Sequence, residues 1–244
     1  MKPGVFIGTA GWTIPRAHAS FFPQAGSSLS RYASVFNAAE INSTFYRPHR
    51  PATFERWRDS VPDGFRFSVK VPKTITHESG LKDAVGALTA FLCTLDGLGD
   101  RLGPLLLQLP PKLEFNASVV DSFLREASGA WTKLVFEPRH PSWFSDEAET
   151  MLAEYHVARA GADPERHPGA LVPGAATDLT YRRFHGSPRV YFSAYEDAFI
   201  RSVASQVAVS PGPAWCIFDN TASGAAAGDA LRLMSSLGLL TTNR

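Results

Sequence analysis

A chain of 244 residues, 44% hydrophobic and 19% charged, has the size and composition of one large globular domain, since α/β barrels commonly run to ~250 residues as a single unit. A formal net charge of +1 excludes the large basic excess of dedicated nucleic-acid and membrane binders and leaves only local patches. No stretch reaches the ~18 apolar residues of a membrane helix, and the start Met1-Lys2-Pro3-Gly4-Val5-Phe6 has no long apolar leader core, so a cytoplasmic chain with no membrane partner is expected. Cys93 and Cys216 both stand in apolar frames that predict buried thiols in a reducing compartment.

In chain order, the first β-rich apolar run is Val5 to Ile7, followed by a helical pattern over Ser28 to Phe36. Runs at Ala38 to Ile41 and Phe65 to Val69 flank a helix over Thr53 to Ser60, and Leu105 to Leu109 follows a helix over Asp83 to Leu98. Leu134 to Phe136 and Val157 to Ala160 are preceded by helical patterns at Ser118 to Glu126 and Ser145 to His156. Tyr181 to Phe184 and Ala214 to Phe218 complete the runs, and Ala225 to Leu237 closes the chain as a helix. The runs start at intervals near the roughly 30 residues of one βα unit, and several helices open on a Ser, Thr or Asp cap. Two links are weak: Gly161 to Thr180 is rich in Gly, Pro and Ala without helical period, and Glu196 to Val207 is short.

Alternating strands and helices predict a parallel sheet, here a single (β/α)8 TIM-like barrel over residues 1–244 with the sixth helix missing or irregular. The competing arrangement is an open doubly wound sheet. Such a sheet usually carries a Gly-rich phosphate turn after its first strand, and neither G-x-G-x-x-G nor G-x-x-x-x-G-K-[ST] occurs.

Barrel enzymes carry their chemistry at the C-terminal ends of strands, and here those ends are polar. They hold Glu40 and Asn42, Lys70, Gln108, Glu137 and Arg139, Asp163, Arg183 and His185, then Asp219 and Asn220. Residues two apart on a strand share a face, so Glu40 with Asn42, Glu137 with Arg139, and Arg183 with His185 project as pairs. Glu40 lies in an apolar frame, and pointing inward it is desolvated unless Lys70 on the next strand pairs with it; a structural Glu–Lys bridge and an acid/base role are equal alternatives. Lys70 suits an anion as a point charge, or acts as a nucleophilic amine if desolvated. Glu137 and Arg139 form either a structural ion pair or part of a site.

No H-x-H, H-E-x-x-H or C-x-x-C occurs, so no cofactor or metal is readable from local spacing; Glu137, His140, Asp163 and His185 are the nearest approximation to a divalent-metal set. Trp12, Phe45, Tyr46, Trp143, Phe144, Tyr191 and Tyr195 crowd the same loops as candidate stacking walls, or as cores of the loops themselves. Arg47 to Lys73 carries seven Lys or Arg against three acids, the one credible basic patch.

The motifs Gly8-Thr9-Ala10-Gly11-Trp12, Glu40-Ile41-Asn42-Ser43-Thr44-Phe45-Tyr46-Arg47, Phe67-Ser68-Val69-Lys70 with Ile75-Thr76-His77, Gln108-Leu109-Pro110-Pro111, Phe136-Glu137-Pro138-Arg139-His140-Pro141-Ser142-Trp143 and Phe184-His185-Gly186 resemble those of the YecE family. This is a bacterial and archaeal domain of unknown function, and the resemblance spans nearly the whole length. It implies a TIM-barrel fold and no established activity. The family's last motif, usually Phe-Asn-Asn, reads Phe218-Asp219-Asn220 here.

Two functions are expected from these residues. The first is an enzyme acting on a phosphorylated or nucleic-acid-like substrate by general acid/base chemistry. In it Glu40, Lys70, Glu137 and His185 are catalytic, while Trp12, Asn42, Tyr46, Arg47, Arg139, Arg183, Asp219 and Asn220 bind substrate. The second is a non-catalytic protein that binds a small anionic ligand or a protein partner at the same mouth.

Overall fold

The computed structural model describes residues 4–131, 133–176 and 178–240. It is an α/β barrel with a ten-stranded, mostly parallel, nearly closed sheet. The strands are β1 (Val5–Ala10), β2 (Ala38–Ile41), β3 (Arg66–Lys70), β4 (Leu102–Gln108), β5 (Leu134–Glu137), β6 (Ala158–Arg159), β7 (Gly161–Asp163), β8 (Gly174–Ala175), β9 (Thr180–Phe184) and β10 (Ala214–Phe218). The helices are α1 (Ser28–Ala33), α2 (Pro51–Asp59), α3 (Val85–Leu95), α4 (Ala117–Ala130), α5 (Asp146–Glu154), α6 (Asp197–Ala208) and α7 (Ala225–Ser236).

The sheet runs β7-β9-β10-β1-β2-β3-β4-β5-β6-β8. β6 pairs with β5 and β7 with β9, with Ala160 alone between them, so the two sides of the sheet meet through a bend in one stretch of chain. β8 adds an antiparallel ribbon to β6.

Side-chain alternation divides the strands between two cores. Leu105 and Leu107 of β4 face the helices in the large outer core, while Leu106 points into the barrel with Ala38, Val135, Ala158, Tyr181, Trp215 and Ile217. At the N-terminal end of the barrel Trp215 stacks on Phe6, with ring centroids 4.6 Å apart, and on Tyr181 at 6.0 Å. Gly103 makes room for it, since a Cβ there would lie 2.7 Å from the Trp215 ring. Local sequence fixes the helix starts: Ser27, Asn116 and Ser145 cap α1, α4 and α5 by accepting from the backbone N–H three residues on.

Among the described residues no helix follows β7 before β9, as the composition of Gly161 to Thr180 predicts. In its place Arg159 pairs with Glu149 of α5 and donates to Val172 O at 3.1 Å, while Glu149 Oε2 accepts from Ala175 N at 2.6 Å. Two expectations are corrected. Glu196 to Val207 is no short link but a 12-residue helix, because Ile200, Val203, Ala204 and Val207 form a buried stripe at helical spacing. Cys93 is exposed, since α3 buries Leu88 and Leu95 and turns Cys93 outward; Cys216 is buried, which pushes its thiol up to about 12.

Candidate functional site

The C-terminal end of the barrel interior is filled by charge. Arg183 of β9 is 0% exposed and spends every side-chain nitrogen on carboxylates. Its Nε and Nη2 donate to Glu40 of β2 at 2.9 and 2.7 Å, Nη1 donates to Glu137 Oε2 of β5 at 2.6 Å, and Nη2 also reaches Asp219 Oδ2 at 3.2 Å. Burial alone would lower its pKa, but Glu137, Glu40 and Asp219 outweigh burial and raise it. Tyr181 extends the network downward, its hydroxyl donating to Glu40 Oε2 at 3.1 Å and lying 2.6 Å from Ser68 Oγ.

His185, two residues above Arg183, sits between two carboxylates: Nδ1 is 2.9 Å from Asp219 Oδ2 and Nε2 is 3.1 Å from Glu137 Oε1. Burial lowers its pKa, but Glu137 and the bond to Asp219 prevail, so the imidazolium is favoured. Glu137 Oε1 also accepts from Gln108 Nε2 at 3.0 Å and from Arg139 Nη2 at 3.1 Å. Burial raises the Glu137 carboxyl, yet Arg183, His185 and Arg139 hold it well below the usual range.

Lys70, at the end of β3, is 5% exposed, and among the described residues its amine has no carboxylate within ion-pair distance. Its Nζ lies 4.2 Å from the Phe45 ring centre, and its carbonyl accepts from Thr44 Oγ1 at 2.6 Å. Burial, reinforced by Arg183 and only partly offset by Glu40, Glu137 and Asp219, brings the Lys70 amine down to about 8. The expected Glu40–Lys70 bridge is therefore corrected. Glu40 lies level with Ser68 on β3, so Lys70 stands a step higher, and Arg183 reaches Glu40 from across the barrel.

The rim is cationic and aromatic. His77 packs edge-on against Phe45 at 4.9 Å, and its pKa is lowered by burial and then by Lys70, Arg139 and Lys112. Tyr191 stands edge-on over His185 at 5.9 Å with φ 69, a backbone conformation rare for an aromatic residue and of the kind that gathers at functional sites.

Of the residues singled out in the sequence, Glu40, Glu137, Arg139, Arg183, His185 and Asp219 join one hydrogen-bonded network, with Lys70 beside it. Asn42 follows β2, its Oδ1 buried and without a partner among the described residues. Tyr46, 69% exposed, and Arg47 lie on the outer rim. Trp12 turns to Trp57 and Phe67, 5.0 and 6.1 Å away, in the layer between sheet and α2. Asn220 ties Ser193 O and Asp229 together, anchoring α7. Trp143 and Tyr195 are buried in the outer core rather than walling the mouth. His77, Gln108, Ser68 and Tyr181 join the site without a role assigned from sequence; Gln108, His77 and Ser68 carry a signal, at a strand end and in the Ile75-Thr76-His77 and Phe67-Ser68-Val69-Lys70 motifs, whereas Tyr181 carries none.

The approximate metal set is not assembled. His140 Nδ1 is 2.9 Å from Ser142 Oγ and Asp163 Oδ1 accepts from Tyr195 at 2.7 Å, while Glu137 and His185 bond to each other. Among the described residues no group of three or more His, Cys, Asp and Glu side chains is placed to hold a metal ion. A cavity of about 410 Å³ opens at the opposite, N-terminal end, lined by Phe6, Arg66, Lys133 and Trp215, and shares no residue with the charged network.

The family model for a protein of unknown function, DUF72, matches residues 6–244. The chain belongs to the DUF72 family. Its relatives include the UPF0759 protein YecE of Escherichia coli, 33% identical over 156 residues, which are 62% of this chain and 55% of that protein. The UPF0759 protein YunF of Bacillus subtilis is 28% identical over 207 residues, 75% of this chain and 70% of that protein. The chain thus matches only about half the length of YecE. Solved DUF72 structures agree on the fold: one from Enterococcus faecalis superposes with TM-score 0.79 at 20% identity, covering 98% of this chain and 99% of that one. One from Thermotoga maritima gives 0.75 at 23% identity, covering 96% and 99%. None of these DUF72 descriptions names a reaction, so a function has to be argued from the site.

Proposed function

We propose that this DUF72 chain is an enzyme performing general acid/base chemistry on a small anionic, phosphate-bearing substrate at the C-terminal mouth of the barrel. The observation that carries the reading is the charge balance of the network. Three carboxylates, Glu40, Glu137 and Asp219, face four cationic groups, Arg183, Arg139, Lys70 and protonated His185. His77 and Lys112 add no negative charge, so a ligand that brings one completes the site. Two groups are also poised for proton transfer around neutral pH: His185 is pushed up from 6.5 while Lys70 is pulled down to about 8.

In this reading Arg139, His77 and Lys112 receive the anion, with Asn42, Tyr46 and Arg47 on the approach and Tyr191 as wall. Arg183, its donors all engaged, holds Glu40, Glu137 and Asp219 in place rather than touching substrate. Counting Ala158 to Asp163 as one bent strand and setting aside the antiparallel ribbon β8 gives an eight-stranded TIM-type (β/α)8 barrel and one domain over residues 1–244. Free thiols at Cys93 and Cys216 support a cytoplasmic setting.

Calorimetric titration with inorganic phosphate and with sugar phosphates tests the reading. Binding should weaken as salt rises, because the attraction is screened over a Debye length of about 8 Å at physiological ionic strength. Neutral sugars binding as tightly as their phosphates would overturn it. A second reading, a non-catalytic anion-binding protein, is favoured by one observation: both His185 nitrogens are already occupied by carboxylates. Phosphate esters that bind without any being turned over would favour that reading.

A further inference from the structure

Building on the reading of the mouth as a site for small anions, we propose that Lys70 is a nucleophilic amine that condenses with the carbonyl carbon of a phosphorylated aldehyde or ketone. Position supports this first. Lys70 ends β3 on the inward face, where a barrel displays its reacting groups, and its backbone is fixed by the Thr44 hydroxyl at 2.6 Å.

Its surroundings are the second support. A lysine that serves as a structural cation is normally matched by a carboxylate, and three stand nearby. All three are taken by Arg183, which leaves the Lys70 amine against the face of Phe45 at 4.2 Å. A lysine that only collects anions gains by exposure, yet this one is 5% exposed while Arg139 and Lys112, cations within electrostatic reach of His77, are more open to solvent. Desolvation beside another cation is the setting in which an amine is kept partly neutral at physiological pH, and the lowered Lys70 value agrees with it.

The step balances without an oxidant or reductant. The neutral amine's lone pair forms a C–N bond to the carbonyl carbon, and the carbonyl π pair becomes an alkoxide that takes up the proton lost from nitrogen. The resulting hydroxyl leaves as water with one further proton, drawn from solvent at the mouth, and the product is a protonated imine. Phosphate on the cationic rim orients the carbonyl toward Nζ.

The test is trapping. The full chain is incubated at pH 7.5 with glyceraldehyde 3-phosphate and sodium cyanoborohydride, which reduces an imine to a stable secondary amine, and adducts are mapped by peptide mass spectrometry. One adduct per chain at Lys70 is expected, at least tenfold faster than with unphosphorylated glyceraldehyde and lost in Lys70→Arg. Lys70→Met, whose thermal midpoint and phosphate binding are measured alongside, gives the same answer should Lys70→Arg fail to fold. Adducts spread over Lys73, Lys112 and Lys133, or equal rates with both aldehydes, would overturn the proposal. No adduct at Lys70 while inorganic phosphate still binds would overturn the imine and leave the anion site standing. If inorganic phosphate does not bind at all, the reading beneath it falls and the imine with it.

Discussion

The two ends of the barrel interior solve the same packing problem with opposite chemistry. The N-terminal end is filled by Phe6, Trp215 and Tyr181 stacked on one another, and the C-terminal end by Arg183 with Glu40, Glu137, Asp219 and His185. Stacked rings are stabilised by burial itself. Buried charges gain only what their partners return, and well-packed apolar side chains of similar volume are often as stable. Stability alone therefore does not explain the charged end. Tyr181 joins the two, its ring on Trp215 and its hydroxyl on Glu40.

The largest effect is expected of Arg183→Met, which leaves Glu40 with the Tyr181 hydroxyl as its one side-chain donor among the described residues and takes one cation each from Glu137 and Asp219. Its cost should exceed the ~3–5 kcal/mol of one broken buried pair, read as loss of a cooperative urea transition at pH 7. Structure regained toward pH 4, as carboxylates take up protons, would confirm the cause.

Next come Glu137→Gln and Trp215→Ala, each expected to cost about 3–5 kcal/mol, the first by removing the buried charge that Arg183, Arg139 and His185 share and the second by opening a cavity. They should part in pH dependence. The folded-state pKa of Glu137 is depressed, so the stability it contributes is full above its ordinary 4.5 and is lost as pH falls through the lower folded value. The gap between wild type and Glu137→Gln should therefore narrow in acid, while the Trp215→Ala gap stays constant. Equal pH profiles for the two variants would remove the distinction between the ends.

Lys70→Met should stabilise. The amine falls from 10.5 to about 8 on folding, so its burial penalises the charged form by up to about 3 kcal/mol below pH 8. As pH rises from 8 toward 10.5 the folded amine is neutral while the unfolded one still holds its proton, wild-type stability recovers, and the two melting curves converge. The smallest effect is expected of Asp219→Asn, which keeps an acceptor for His185 and Arg183 but removes a charge. Phosphate should bind a few-fold tighter, about 0.5–1 kcal/mol, and the imidazole of His185, followed by NMR, should titrate at lower pH.

The strands and most helices are legible in the sequence because burial on both faces writes continuous apolar runs such as Leu105-Leu106-Leu107. β8 is not, since two residues carry no period. Within the site, Glu137 and Arg139 are legible as a pair because they are two apart on one face. The partner of Glu40 is not: Arg183 is 143 residues away on a strand that does not adjoin β2, and pairing across the barrel interior leaves no local mark. Trp12 reads as a pocket wall from its place after β1, but the aromatic layer of Trp57 and Phe67 claims it.

The pairing of β1 with β10, which sets Val5 against Ala214, reaches into biosynthesis. Val5 waits for its neighbour Ala214 while about 200 intervening residues are synthesised. Until β10 emerges, β1 presents an unsatisfied backbone edge, the kind of template on which nascent chains pair with one another. A chain cut short before Ala214 therefore carries a sheet edge able to recruit strands from other chains.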